Sequence, residues 1–184
     1  MQAPSDAIDV FLQPGEFYFG EEKTRIRTLL GSCVAVTLWH PKLHIGGMCH
    51  YMLPRRPRHK AETVATLDGR YAEDAMKMFL HELLRSRTHA GDYQVKLFGG
   101  GHMFARGLKA DRHPSISDTN VEYGRAAIAQ CGFRCSAEDL GGDGHRNVIL
   151  DLWNGDVWVR RANLSPAPIH AAGKAPCRSS TSWW

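Results

Sequence analysis

Cys33 and His50 are the two side chains with which this sequence could do covalent chemistry. A cysteine attacks as its thiolate, and an imidazole within reach can take the thiol proton and later hand one to a leaving group. The two residues stand 17 positions apart in the stretch Thr28–Pro54. Cys33 closes the turn Gly31-Ser32-Cys33, which can expose a thiol and turn backbone amides toward an oxyanion. A third group usually orients the imidazole. Thr28, a hydroxyl close to the turn, and Asp139, an acid far along the chain, are the competing choices. The same residues have a plainer reading. Free cysteine is among the most buried residue types and often just packs, and Cys–His spacings do not transfer between enzyme families.

The elements around this pair must bring it together. Thr28–Pro54 reads as two short apolar strands. Val34, Ala35, Val36 and Leu38 lie in the first, Trp39–Lys42 makes the turn, and Ile45–Met52 is the second. Strands joined this way run side by side, so a thiol before the first can meet an imidazole near the end of the second. Upstream, residues 1–9 are polar and read as a flexible N-terminus. Val10–Leu12 and Phe17–Phe19 are apolar patches around the turn Gln13-Pro14-Gly15-Glu16, and Thr24–Leu30 leads into Gly31. Residues 71–87 carry Ala72, Ala75, Met76, Phe79, Leu80, Leu83 and Leu84 at helical spacing, with Asp68 or Asp74 favouring the N-terminal end. Tyr93–Phe98 reads as a strand. It runs into Gly99-Gly100-Gly101-His102-Met103-Phe104, which is neither a phosphate-binding loop nor a dinucleotide fingerprint. Residues 115–130 predict a second helix, capped by Ser117 or Asp118, with Val121, Ile128 and Cys131 inward. Residues 137–144 read as a glycine-rich loop. Asn147–Leu152 and Asp156–Arg160 read as a hairpin across Asn154-Gly155. From Asn163 the composition turns to Ser, Pro, Ala and Gly, so residues 163–184 are expected to be a disordered tail.

Composition narrows the classes. A chain of 184 residues, 43% hydrophobic and 23% charged, supports one domain with a real core. No apolar run reaches the length of a membrane span, and Met1–Asp6 lacks a secretory pattern, so a cytoplasmic protein without membrane insertion is expected. The five cysteines are odd in number and form no secreted disulfide framework. Cys49, His50, His102, Cys131 and Cys135 could each ligate zinc, but they lack the paired spacing of a zinc site. The net charge of +4 is mild. Its one dense cluster, Arg55 to Lys60, is either a solvated surface or a capture site for an acidic partner. No nucleic-acid-binding motif accompanies it.

Several motifs, in order, resemble the CheD family, the chemoreceptor glutamine deamidases of bacterial chemotaxis. They are Gln13-Pro14-Gly15-Glu16, Leu30-Gly31-Ser32-Cys33-Val34-Ala35-Val36 and Gly47-Met48-Cys49-His50-Tyr51-Met52-Leu53-Pro54. Gly69-Arg70-Tyr71-Ala72, Gly99–Phe104 and Asp139-Leu140-Gly141-Gly142 through Arg146 follow, so the likeness covers residues 10 to 161. The resemblance implies Cys33 as nucleophile, His50 as base and Thr28 as the third member. The family's threonine lies a few residues before the cysteine, in some members six before, where this chain has Arg27. A second departure is Ile116-Ser117-Asp118-Thr119-Asn120-Val121, where many members show Gly-x-Arg-Asn and only Asn120 is kept.

The implied fold is α/β, mixed β-sheet layers flanked by helices in one compact domain over residues 10–162. The implied activity is protein-glutamine deamidation through a cysteine thioester, without a cofactor. Its substrate would be the cytoplasmic region of methyl-accepting chemoreceptors. Family links to methyl-ester hydrolysis and to a CheC-type phosphatase partner come with it. Gly31 and Ser32 would bind substrate, and Arg55, Arg56 and Arg58 would dock an acidic receptor surface. The rival readings are another cysteine hydrolase and a non-catalytic regulator that binds a chemotaxis signalling protein.

Overall fold

The computed structural model describes residues 3–57, 66–103 and 115–162. Continuous apolar runs and alternating ones go to different sheets. Val34–Trp39 (β4) and Gly46–Tyr51 (β5) are buried at almost every position, as strands covered on both faces must be. They pair antiparallel, with Ala35 opposite His50. With Phe17–Gly20 (β2), Gln94–Gly99 (β6) and Cys135–Leu140 (β7) they form a five-stranded sheet in the order β2-β5-β4-β6-β7. Thr24–Leu30 (β3) alternates instead, with every second side chain buried. It lies in a four-stranded sheet in the order β1-β3-β8-β9, with Ile8–Leu12 (β1), His145–Asp151 (β8) and Val157–Ala162 (β9). Each sheet holds one parallel pair, β1 with β3 and β6 with β7, so both are mixed.

Three layers result. Leu12, Ile26, Leu30, Val148 and Leu150 of the smaller sheet pack on Ala35, Met48 and Phe98 of the larger. The larger sheet's other face packs through Val36, Cys49, Tyr51 and Leu97 on the helices Ala72–Ser86 (α1) and Ile116–Gln130 (α2). Each large apolar side chain buried this way contributes about 2 kcal/mol. The fold is thus α/β with mixed sheet layers, as the sequence implied, and both helices lie on one side.

Three local expectations need correction. Leu84, assigned to the apolar stripe of α1, is 77% exposed, while Asp74 on the same helix is buried. The cap of α2 is Ser115, not Ser117 or Asp118. The Ser115 hydroxyl accepts from the Asp118 amide, and the Asp118 carboxylate accepts from the Ser115 amide, closing a reciprocal box. Residues 135–140, four of them expected in a loop, form β7. It is an edge strand exposed at its first four positions, so it carries no alternation for the eye to find. The hairpin of β8 and β9 forms as expected. The tail at 163–184 lies outside the described residues. Among the described residues no helix is long and apolar enough to cross a membrane.

Candidate active site

β3 and β5 belong to different sheets whose inner faces meet. Thr28 points inward from β3 and His50 from β5, and Thr28 Oγ1 lies 2.7 Å from His50 Nδ1. Both residues are 1% exposed. The same hydroxyl donates to the Leu12 carbonyl at 2.9 Å. A threonine has one hydroxyl hydrogen, and Leu12 holds it. His50 Nδ1 must therefore carry the ring proton and donate to Thr28, which leaves Nε2 as the basic nitrogen. Nε2 is buried and has no hydrogen-bond partner.

Cys33 reaches the same layer. It stands two residues before Ala35, the register partner of His50, and packs against the apolar residues between the sheets. Its thiol is half-buried. Burial pushes the Cys33 pKa above its ordinary 9.0, and the Ser32 hydroxyl and the cysteine's own amide pull it back only in part. Burial likewise pushes His50 down from 6.5 to about 4, against weaker upward pulls from the Leu12 carbonyl and Glu16. At neutral pH the resting pair is a thiol and a neutral imidazole, not an ion pair.

The glycine run backs the Gly31–Cys33 turn. Gly100 donates to the Cys33 carbonyl and Gly101 to the Gly31 carbonyl, both at 2.8 Å. Gly99, at φ +116°, passes so close that a Cβ there would sit 2.2 Å from the Cys33 oxygen, so only glycine fits. The Asn120 side-chain amide donates to the Ser32 carbonyl at 3.2 Å and to the Met52 carbonyl at 2.8 Å. On the other flank, Gly15 donates to the His50 carbonyl at 2.7 Å and the His50 amide donates to Glu16 at 3.0 Å. The Gln13–Glu16 turn thus brackets the histidine.

The remaining candidates divide. Asp139, the competing orienter, is not at His50. Burial works to raise its pKa, but Arg161 at 2.6 Å and Arg146 at 2.7 Å outweigh that and hold the carboxyl below the usual range. Gly31 and Ser32 form the turn itself. Arg55 is exposed and stacks on Tyr123, 5.1 Å from the ring centroid. Arg56 instead binds the buried Asp74 carboxylate and the Thr66 carbonyl, each at 2.7 Å, so its charge serves the fold. Arg58 lies outside the described residues. Cys49 faces the helices, fully buried, its thiol pushed up to about 12 by burial. Among the described residues no three His, Cys, Asp or Glu side chains gather as a metal ion would require. Asn120 is the residue that sequence reasoning undervalued. Its only signal was its survival in an otherwise altered motif.

Residues 52–161 match the family model described as CheD chemotactic sensory transduction. The chain is also 48% identical over 161 residues to a Pseudomonas syringae pv. tomato protein, covering 87% of this chain and 93% of that one. The chain belongs to the CheD family. A CheD relative from Dechloromonas aromatica is 47% identical over 170 residues, 92% of this chain and 97% of its own. One from Leptospira interrogans is 41% identical over 162 residues, 86% of this chain and 95% of its own. The curated names of all three read "Probable chemoreceptor glutamine deamidase CheD", two with a number added. The family model begins after His50, but an alignment taking in 92% of this chain necessarily runs through Thr28, Cys33 and His50.

Proposed function

We propose that this chain is a chemoreceptor glutamine deamidase, with Cys33 as nucleophile, His50 as general base and acid, and Thr28 orienting the imidazole. The observation that carries the reading is the proton held on His50 Nδ1 by Thr28, which leaves Nε2 free on the layer that Cys33 enters. In the first step the Cys33 sulfur attacks the side-chain carboxamide carbon while His50 Nε2 takes the thiol proton. The carbonyl π electrons move to oxygen, and amides of the Gly31–Cys33 turn receive the oxyanion. As the intermediate collapses, the imidazolium gives its proton to the departing nitrogen and ammonia leaves. Water then attacks the thioester with His50 taking its proton, the sulfur departs, and that proton returns to it. The sum is carboxamide plus water giving carboxylic acid plus ammonia. No redox change and no external cofactor enter the sum.

The receptor's cytoplasmic region supplies the substrate, so the cytoplasm is the working compartment. Arg55 stands on the surface where an acidic receptor helix would dock. A CheC-type phosphatase is the regulatory partner to test by co-purification.

The decisive experiment incubates the full chain with a purified receptor cytoplasmic fragment and compares wild type with Cys33→Ala by peptide mass. Expected is a gain of about one dalton at particular glutamines with the backbone intact, absent in the variant. Cleaved peptides would indicate another cysteine hydrolase. Unchanged masses would overturn the reading in favour of a binding regulator, and the same shift with Cys33→Ala would overturn Cys33 as the nucleophile.

A further inference from the structure

α2 is an odd helix to find against a core. Its buried positions are Ser117, Asn120, Gly124, Ala127 and Ile128, so its first half buries polar atoms where apolar ones would stabilise more. The Ser117 hydroxyl and the Asn120 amide nitrogen are each bonded to a segment of the candidate site. The Ser117 hydroxyl donates to the Gly101 carbonyl at 3.0 Å, and Gly101 in turn donates to Gly31. The Asn120 amide donates to Ser32, the residue before Cys33, and to Met52, two residues after His50. The Tyr51 hydroxyl, on the residue next to His50, donates to the Asn120 carbonyl at 2.7 Å. Gly124 leaves room for that ring, since a Cβ there would lie 2.2 Å from the Tyr51 oxygen.

Asn120 is 0% exposed, and its Oδ1 has no hydrogen-bond partner. A buried acceptor left unpaired is destabilising. The arrangement therefore does not look like one that maximises stability. The two carbonyl acceptors also fix the amide, because flipping it would set oxygen against oxygen twice.

We propose that Asn120 is a positioning residue, clasping the Ser32–Cys33 turn to the strand that carries His50, with Ser117 as its auxiliary through Gly101. One side chain thereby fixes the spacing of nucleophile and base without touching substrate. The clasp is sited on the helix face of the central sheet, opposite the layer where the pair works. Its loss leaves both groups present but free to drift, and a displacement near 1 Å costs about a hundredfold in rate.

The test is a double-mutant cycle on Cys33 alkylation by iodoacetamide, with the alkylated residue identified by peptide mass. His50→Ala is compared in the wild-type and Asn120→Ala backgrounds of the full chain. Expected is that removing His50 slows Cys33 alkylation in wild type and does little further in Asn120→Ala. The kinetic arm rests on the deamidase reading. There Asn120→Ala lowers kcat per folded molecule by about a hundredfold with KM within twofold. The alkylation arm needs no receptor, so failure of the deamidase reading leaves it intact. A His50 effect of equal size in both backgrounds overturns the proposal. Should Asn120→Ala not fold by circular dichroism, Ser117→Ala carries the same cycle, with a smaller loss of the His50 effect expected and an undiminished one overturning it.

Discussion

Thr28 has one hydroxyl hydrogen, and the Leu12 carbonyl takes it. From that follows the tautomer of His50, and from the tautomer which ring nitrogen is left basic. Thr28→Val keeps the shape and removes the hydrogen-bonding oxygen. It should lower kcat by about ten- to a hundredfold with KM unmoved, whereas Thr28→Ser should retain most activity. Steady-state deamidation of a receptor fragment measures both. At this scale the sequence was partly legible. Cys33 and His50 stand out by type and by the hairpin between them. Thr28 and Asp139 could not be separated, because that choice depends on how two sheets face each other. The two arginines around Asp139 settle where the acid goes, and they lie 7 and 22 residues away along the chain.

At the scale of the elements, the basic cluster divides into unlike parts. Arg56 ties the loop before α1 to the buried Asp74, and removing it leaves a carboxylate with weaker partners. Arg56→Ser should lose about 3 kcal/mol of stability, read as a fall in Tm, with KM on receptor little changed. Arg55→Ser should do the reverse, leaving Tm alone and raising KM more at low salt than at high. A KM unmoved at every salt concentration would rule out docking through Arg55. The strands β4 and β5 and the helix α1 were legible from apolar runs and periodicity. β7 was not, because an exposed edge strand such as Cys-Ser-Ala-Glu-Asp-Leu has no buried face to impose alternation. The capping box of α2 was misplaced by two or three residues, since Ser115, Ser117 and Asp118 all suit a cap and only the backbone distinguishes them. Ser117 instead donates its hydroxyl to Gly101 in the glycine run.

At the scale of the molecule, the imidazole sits in the seam between two sheets, only 1% exposed. A histidine whose pKa falls from 6.5 unfolded to about 4 folded binds fewer protons in the native state across that interval. Its contribution to stability is whole above about pH 6.5 and drains away as the pH drops toward 4, by about 3 kcal/mol. Urea midpoints should decline over this window, and the decline should flatten in His50→Gln. A three-layer order with both helices on one side could not be read from the sequence. It depends on which sheet each strand joins, and β3 and β4, consecutive in the chain, join different ones. The family likeness named the fold class, while the pairing of Thr28 with His50 needed the seam itself.

Peroxide and similar oxidants attack the sulfur anion far faster than the protonated sulfur. By raising the Cys33 pKa, burial in the seam keeps the thiol mostly protonated near neutral pH and so slows its reaction with such oxidants.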